Sequence, residues 1–227
     1  MACICQKHRF MPRRRGDKMK LEGLKINFLG DSITYGSTLK NKEDVYWSLL
    51  KRECGLAEAR GYGIGGTRIA IQHYYEEPRD KQDFISRVEE MDEDADVVVV
   101  FGGTNDFGHG DAPLGQMGDF TPYTFYGACN KLMRKLMRRY PHAEIVFMTP
   151  LHRVDEERGG HCLRDYVAAI REVAEYYAIP VVDLYATSGI QPQVNGNREL
   201  FAPDGLHPNE AGHYKIYRRL RSALESL

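Results

Sequence analysis

The sequence has no long apolar run: the longest, Val97-Val98-Val99-Val100-Phe101, falls well short of the ~18 to 20 residues that cross a bilayer. No membrane span is expected. The first eighteen residues lack the apolar stretch of ~7 to 15 residues that a secretory leader carries, so a cytoplasmic location is the expectation. Surplus charge of one sign is missing too. Lys and Arg number 31 against 32 Asp and Glu, a formal charge of −1, and nothing in that balance asks for nucleic acid. The single basic cluster, Arg13-Arg14-Arg15, reads as a solvated tail.

Cysteine is sparse and unpatterned. Five residues, at 3, 5, 54, 129 and 162, are odd in number and share no spacing, unlike a disulfide framework, which fits reduced thiols. No Cys or His pair follows Cys3 and Cys5 at zinc-ligand spacing, so no metal is expected. Internal repeats, low-complexity segments and linkers are absent as well. The length of 227 residues with 42% hydrophobic content suits one core and one domain. The first strand begins near Leu24, with Met19 just ahead of it. Residues 1–20 are therefore read as an extension, disordered or foreign to the natural product, and 21–227 as the domain.

What is present is an alternation of strands and helices. Leu24 to Leu29 is a short apolar-rich run closed by Gly30, and Asp44 to Cys54 carries Val45, Leu49 and Leu50 at helical intervals. Val97 to Phe101 is a β-branched run closed by Gly102-Gly103, and Tyr126 to Tyr140 places Leu132, Met133, Leu136 and Met137 on one helical face. Strands are expected at Glu144 to Met148 and Pro180 to Leu184, helices at Leu163 to Tyr177 and from about Asn209 onward. This pattern predicts an α/β fold, a parallel sheet with helices on both faces. The Val97 run suits a central strand buried on both sides. Ligands of such sheets sit beyond the carboxyl ends of the strands, where Asp31-Ser32 and Thr104-Asn105-Asp106 both fall.

Gly30-Asp31-Ser32-Ile33-Thr34 puts a serine at a strand end, as a nucleophile would be placed or as a helix cap would be. In Asp204-Gly205-Leu206-His207-Pro208-Asn209 a carboxylate three residues ahead of a histidine can take the imidazole Nδ1–H and leave Nε2 for a serine. The same residues could instead cap the last helix. Gly63-Ile64-Gly65-Gly66 offers backbone N–H groups and Asn105 a side-chain NH₂ for an oxyanion; turns and Asx bonding to local backbone would explain both equally well. Asp31 reads as a residue that stabilises its turn.

Together these blocks resemble the SGNH hydrolases, the superfamily of GDSL-type esterases and lipases, in order from Ile26 to Tyr214. Gly30-Asp31-Ser32 is similar to the nucleophile block, Gly66 to the oxyanion glycine, Gly103-Thr104-Asn105-Asp106 to the asparagine block, and Asp204 to His207 to the final acid and base. The resemblance implies a flavodoxin-like three-layer α/β/α sandwich on a parallel sheet of about five strands and no cofactor. It also implies catalytic Ser32, Asp204 and His207, and an oxyanion hole of Ser32, Gly66 and Asn105. One departure is Arg60-Gly61-Tyr62-Gly63, where many relatives carry an asparagine.

The expected substrate is a small-molecule acyl ester, with short acyl groups and carbohydrate O-acetyl esters favoured because no apolar segment suggests a long acyl tunnel. Lysophospholipase, thioesterase and acyltransferase activities use the same triad, and a non-catalytic binding protein could keep the same fold. Gly61-x-Gly63-x-x-Gly66 matches a dinucleotide-binding fingerprint, but a strand and a helix already precede it. Aromatics at Phe107, Phe120, Tyr123, Phe125 and Tyr126 either line a cleft mouth or pack their loop onto the domain. His109, His152 and His161 read as isolated surface histidines. The oligomeric state is not legible.

Overall fold

The computed structural model describes residues 19–74 and 78–227. The readings made for Arg13-Arg14-Arg15, for Cys3 and Cys5, and for residues 1–18 as an extension lie outside the described residues. Met19, within the stretch read as an extension, is packed: its side chain is buried and its N–H donates to Glu225 O at 3.0 Å.

In chain order the elements are β1 (Lys25–Gly30), α1 (Ser32–Tyr35), α2 (Tyr46–Cys54), β2 (Glu58–Gly63), α3 (Phe84–Arg87), β3 (Val97–Phe101), α4 (Thr104–His109), α5 (Phe125–Arg139) and β4 (Glu144–Met148). There follow a small hairpin of β5 (Glu157–Arg158) and β6 (His161–Cys162), then α6 (Leu163–Tyr176), β7 (Val181–Val182), α7 (Leu184–Thr187), α8 (Asn197–Phe201) and α9 (Glu210–Ser226). The main sheet has five strands in the order β2-β1-β3-β4-β7, all parallel. This is the flavodoxin-like α/β/α arrangement that the resemblance implied.

Alternation along β3 divides the core. Val98 and Val100 join Leu29, Phe147, Leu132 and Ile170 on one face, while Val97, Val99 and Phe101 join Phe28, Leu50 and Leu220 on the other. All five β3 residues are buried, as a strand covered on both faces requires.

Helices α5, α6 and α9 lie within a residue of their expected bounds. Two elements differ. The helix expected from Asp44 starts at Tyr46, because Val45 is extended (φ −65°, ψ 141°) after a 3-10 turn at Lys42–Asp44. The strand expected over Pro180–Leu184 shrinks to Val181–Val182, because Asp183 leaves the sheet to cap α7, its carboxylate accepting from Ala186 N at 3.1 Å. Edge strand β2, Glu-Ala-Arg-Gly-Tyr-Gly, was not anticipated. It has no β-branched residue and is at most half-buried, so it lacks the apolar run by which central strands are recognised.

The order fixes where a site can form. From β1 the chain crosses to β2 on one side, whereas β3 lies on the other side of β1 and the sheet then continues to β4 and β7. Gly30 is in register with Gly63 of β2 and Phe101 of β3, so the loops after all three strands leave one rim. Connections that diverge from neighbouring strands open a crevice between them, the usual ligand position in such sheets.

Candidate active site

Ser32 is the first residue of α1, directly after β1. Asp31 caps this helix, its Oδ1 accepting from Ile33 N at 2.9 Å, the turn-stabilising place expected for it. Burial pushes the Asp31 carboxyl up to about 6, against the pull of the Ile33 N–H and of His207. Ser32 is itself nearly buried, 7% exposed.

The 204–208 segment arrives from the other end of the chain. Its tight turn depends on Gly205, whose φ of +86° suits a residue without a side chain and whose added Cβ would lie 2.5 Å from Val154 Cγ2. Gly205 O accepts from Val154 N at 2.9 Å, and Thr38 Oγ1 donates to Pro208 O at 2.7 Å, which ties the segment to the loop after α1. Helix α9 is capped by Asn209, whose Oδ1 accepts from Gly212 N at 3.0 Å. Asp204 and His207 are therefore not the cap of α9.

Asp204 and His207 bond one another and reach Ser32. Ser32 Oγ lies 2.9 Å from His207 Nε2, and His207 Nδ1 lies 2.7 Å from Asp204 Oδ2. Because a carboxylate only accepts, Nδ1 carries the ring hydrogen and Nε2 is left to accept from the serine hydroxyl. Asp204 Oδ1 also accepts from Leu206 N and His207 N at 2.9 and 2.7 Å. Partial burial works to raise the Asp204 pKa, but these hydrogen bonds and the His207 charge outweigh it and hold the carboxyl below its usual value.

Gly66 lies in the loop after β2. A Cβ added to neighbouring Gly65 would sit 3.8 Å from Ser32 Cβ, so this loop runs beside the serine. Among the described residues no acceptor engages the N–H of Ser32 or of Gly66. Asn105, early in α4, donates one Nδ2 hydrogen to Thr67 O at 3.0 Å, which draws the β2 and β3 loops together. The serine and the asparagine thus each meet the loop after β2.

Several supporting residues were not read from sequence. Arg87, 2% exposed, sits under the site and donates to Gly30 O, Tyr62 O, Gln82 O and Thr67 Oγ1 at 2.8 to 3.1 Å. Burial lowers its pKa to about 10, while Asp31, Glu90 and Asp83 act in the opposite sense. Asp106 bonds well beyond its own loop: its carboxylate accepts from Ile69 N and Ala70 N at 3.0 and 2.8 Å. Its burial pushes that carboxyl up to about 6 against those two bonds. Beneath α1, His213 accepts from Tyr46 N at 3.3 Å and is pushed down to about 3 by burial, the charges of Lys42 and His207 adding to the effect.

Two of the histidines read as isolated have partners. His109 Nε2 lies 3.1 Å from Asn105 Oδ1, and His152 Nδ1 lies 2.7 Å from Glu156 Oε1 with its ring on Tyr185. His161 is exposed. Of the loop aromatics, Phe107 and Phe125 are buried against Tyr166, while Phe120 and Tyr123 are exposed. The Gly61-x-Gly63-x-x-Gly66 sequence forms no phosphate cradle. Gly61 and Gly63 belong to β2, a Cβ on Gly63 would meet Tyr35 N at 2.3 Å, and among the described residues no helix starts between Gly66 and Phe84 apart from a 3-10 turn at Pro78–Lys81. In the Arg60–Gly63 stretch that departs from the family pattern, Arg60 pairs with Asp94 at 2.7 Å and with Glu58.

A parallel α/β/α sandwich with a serine, a histidine and an asparagine at its switch-point rim has the architecture of an SGNH hydrolase. Residues 28–215 match the GDSL-like lipase/acylhydrolase family, and the chain belongs to that family. One solved structure is 37% identical, with a TM-score of 0.82 over 91% of this chain and 98% of its own. Another, from Lactobacillus plantarum, is 31% identical with a TM-score of 0.78, covering 88% of this chain and 96% of its own. An acetyl xylan esterase shares the fold at 22% identity and a TM-score of 0.64, over 88% of this chain and all (100%) of its own. No curated protein matches. Among the described residues no helix is long and apolar enough to cross a membrane.

Proposed function

We propose that this hydrolase cleaves short acyl esters through an acyl-enzyme on Ser32. The observation that carries the reading is the unbroken line from Ser32 Oγ through the His207 ring to Asp204, with bonds of 2.9 and 2.7 Å. His207 Nε2 takes the serine proton as Oγ attacks the acyl carbonyl, and the carbonyl oxygen becomes an anion. The N–H groups of Ser32 and Gly66 and the remaining Nδ2 hydrogen of Asn105 are its donors. Collapse of the intermediate passes the proton from His207 to the leaving alcohol. Water, deprotonated by His207, then attacks the ester of Ser32 and releases the acid. Asp204 holds the imidazole in the productive tautomer and stabilises its cationic form.

Short acyl groups, carbohydrate O-acetyl esters among them, are the favoured substrates. The family includes acylhydrolases, and the shared fold of an acetyl xylan esterase agrees with that class. Turnover of p-nitrophenyl acetate, butyrate and octanoate, with fluorophosphonate labelling mapped by mass spectrometry, tests the reading. The expected result is activity that falls with chain length, label on Ser32, and loss of both in Ser32→Ala. Turnover that rises toward octanoate would favour a lipid-type acylhydrolase. A folded protein that neither turns over nor takes the label would be a binding protein instead.

A further inference from the structure

Asn105 and His109 are four residues apart on α4, which puts them on one face of the helix. His109 Nε2 lies 3.1 Å from Asn105 Oδ1, and a guanidinium nitrogen of Arg68, Nη2, meets His109 Nδ1. Arginine only donates, so Nδ1 must be the unprotonated nitrogen and the ring hydrogen sits on Nε2. That hydrogen is donated to Asn105 Oδ1. On the other side of the amide, Nδ2 donates to Thr67 O at 3.0 Å. Rotating the amide by half a turn would set Oδ1 against a carbonyl oxygen and Nδ2 against an N–H, two repulsive contacts in place of two hydrogen bonds.

The helix that carries this pair is held from outside by arginines. Arg68 Nη2 also donates to His109 O at 3.3 Å, Arg153 Nη1 to Thr104 O at 3.3 Å, and Arg158 Nη1 to Gly108 O. Arg68 itself follows Gly66-Thr67 directly, so the glycine loop is tied through it and His109 to α4.

We infer that His109 and Arg68 are positioning residues that fix the orientation and polarity of the Asn105 amide, so that Nδ2 and not Oδ1 meets the oxyanion. The inference rests on the reading of Asn105 as an oxyanion donor. Neither side chain takes part in bond making. Arg68 sets the tautomer of His109, and His109 sets the amide.

The test is a double-mutant cycle on the full chain with p-nitrophenyl acetate, kcat and KM being measured separately and thermal melting confirming the fold. His109 is exposed, so its replacement leaves the core intact. His109→Ala is expected to lower kcat about 10-fold, less than outright loss of an oxyanion donor, with KM within about twofold. His109→Gln retains an N–H near the position of Nε2 and is expected within about threefold of wild type, whereas His109→Glu, acceptor only, falls at least as far as the alanine variant. In an Asn105→Ala background His109→Ala is expected to have no further effect.

Losses that multiply in the double variant, or a glutamine variant as slow as the alanine, overturn the positioning role. A slow Asn105→Ala beside a normal His109→Ala overturns it too, yet leaves the oxyanion reading standing. Wild-type turnover in Asn105→Ala removes the oxyanion reading and this inference with it.

Discussion

Asp204 holds His207 twice, through the imidazole Nδ1 and through the histidine's own backbone N–H, both at 2.7 Å and on different carboxylate oxygens. Asp204→Asn can keep an oxygen for the backbone and loses the anion that selects the tautomer. Turnover is expected to fall on the order of 10²- to 10⁴-fold with the melting temperature little changed. Equal kcat in the two proteins would remove Asp204 from the mechanism.

Asn105→Ala removes one proposed oxyanion donor and also the bond to Thr67 O. Turnover is expected to drop on the order of 10²- to 10³-fold with only a small change in KM. A rise in KM at constant kcat would mean that Asn105 binds substrate without favouring the transition state.

Asp31 gives a pH signature of stability. Its carboxyl rises from 3.8 to about 6 on folding because of burial, so the folded chain holds that proton more tightly than the unfolded chain does. The stabilisation is complete below about pH 3.8 and is lost as pH rises through about 6. Asp31→Asn preserves an acceptor for Ile33 N and abolishes the titration. Its stability relative to wild type should therefore grow between about pH 4 and pH 7, by up to roughly 3 kcal/mol. Urea midpoints measured across that range test this, and a constant gap between the two proteins would refute it.

Gly205→Ala combines a φ of +86° with a Cβ 2.5 Å from Val154 Cγ2. A destabilisation of about 1–3 kcal/mol is expected, together with a loss of turnover as Asp204 and His207 shift. Adding Val154→Ala should recover the steric part and leave the backbone part. Full recovery in the double variant would show that the left-handed conformation costs nothing here.

The residues that were legible in the sequence are those whose chemistry is local. Val97 to Phe101 announced a buried strand by composition, and Asp204 and His207 stand three apart and do bond one another. Ser32 could be read because a glycine and a strand end precede it. What escaped was set by distant partners. Arg87 meets Gly30 and Tyr62 through its side chain, and a lone arginine in a four-residue helix carries no periodic signal. Asp106 stood in the sequence only as the neighbour of Asn105, yet its carboxylate oxygens serve Ile69 and Ala70, 37 and 36 positions away. His109 looked isolated because neither Arg68 nor the orientation of Asn105 can be inferred from spacing. Edge strand β2 was missed because its half-buried residues had no reason to be apolar.

Ser32 and His207 are 175 positions apart, and the histidine's segment is anchored by Val154 and Thr38 just ahead of α9, which closes against Met19. A chain emerging from the ribosome therefore exposes its serine long before it possesses the proposed base. Any partly folded form with α9 undocked has a hydroxyl of ordinary reactivity at that position. Labelling by a fluorophosphonate would then count only molecules that have completed this long-range contact, which makes the reactivity of one side chain a clock for the joining of the two ends of the domain.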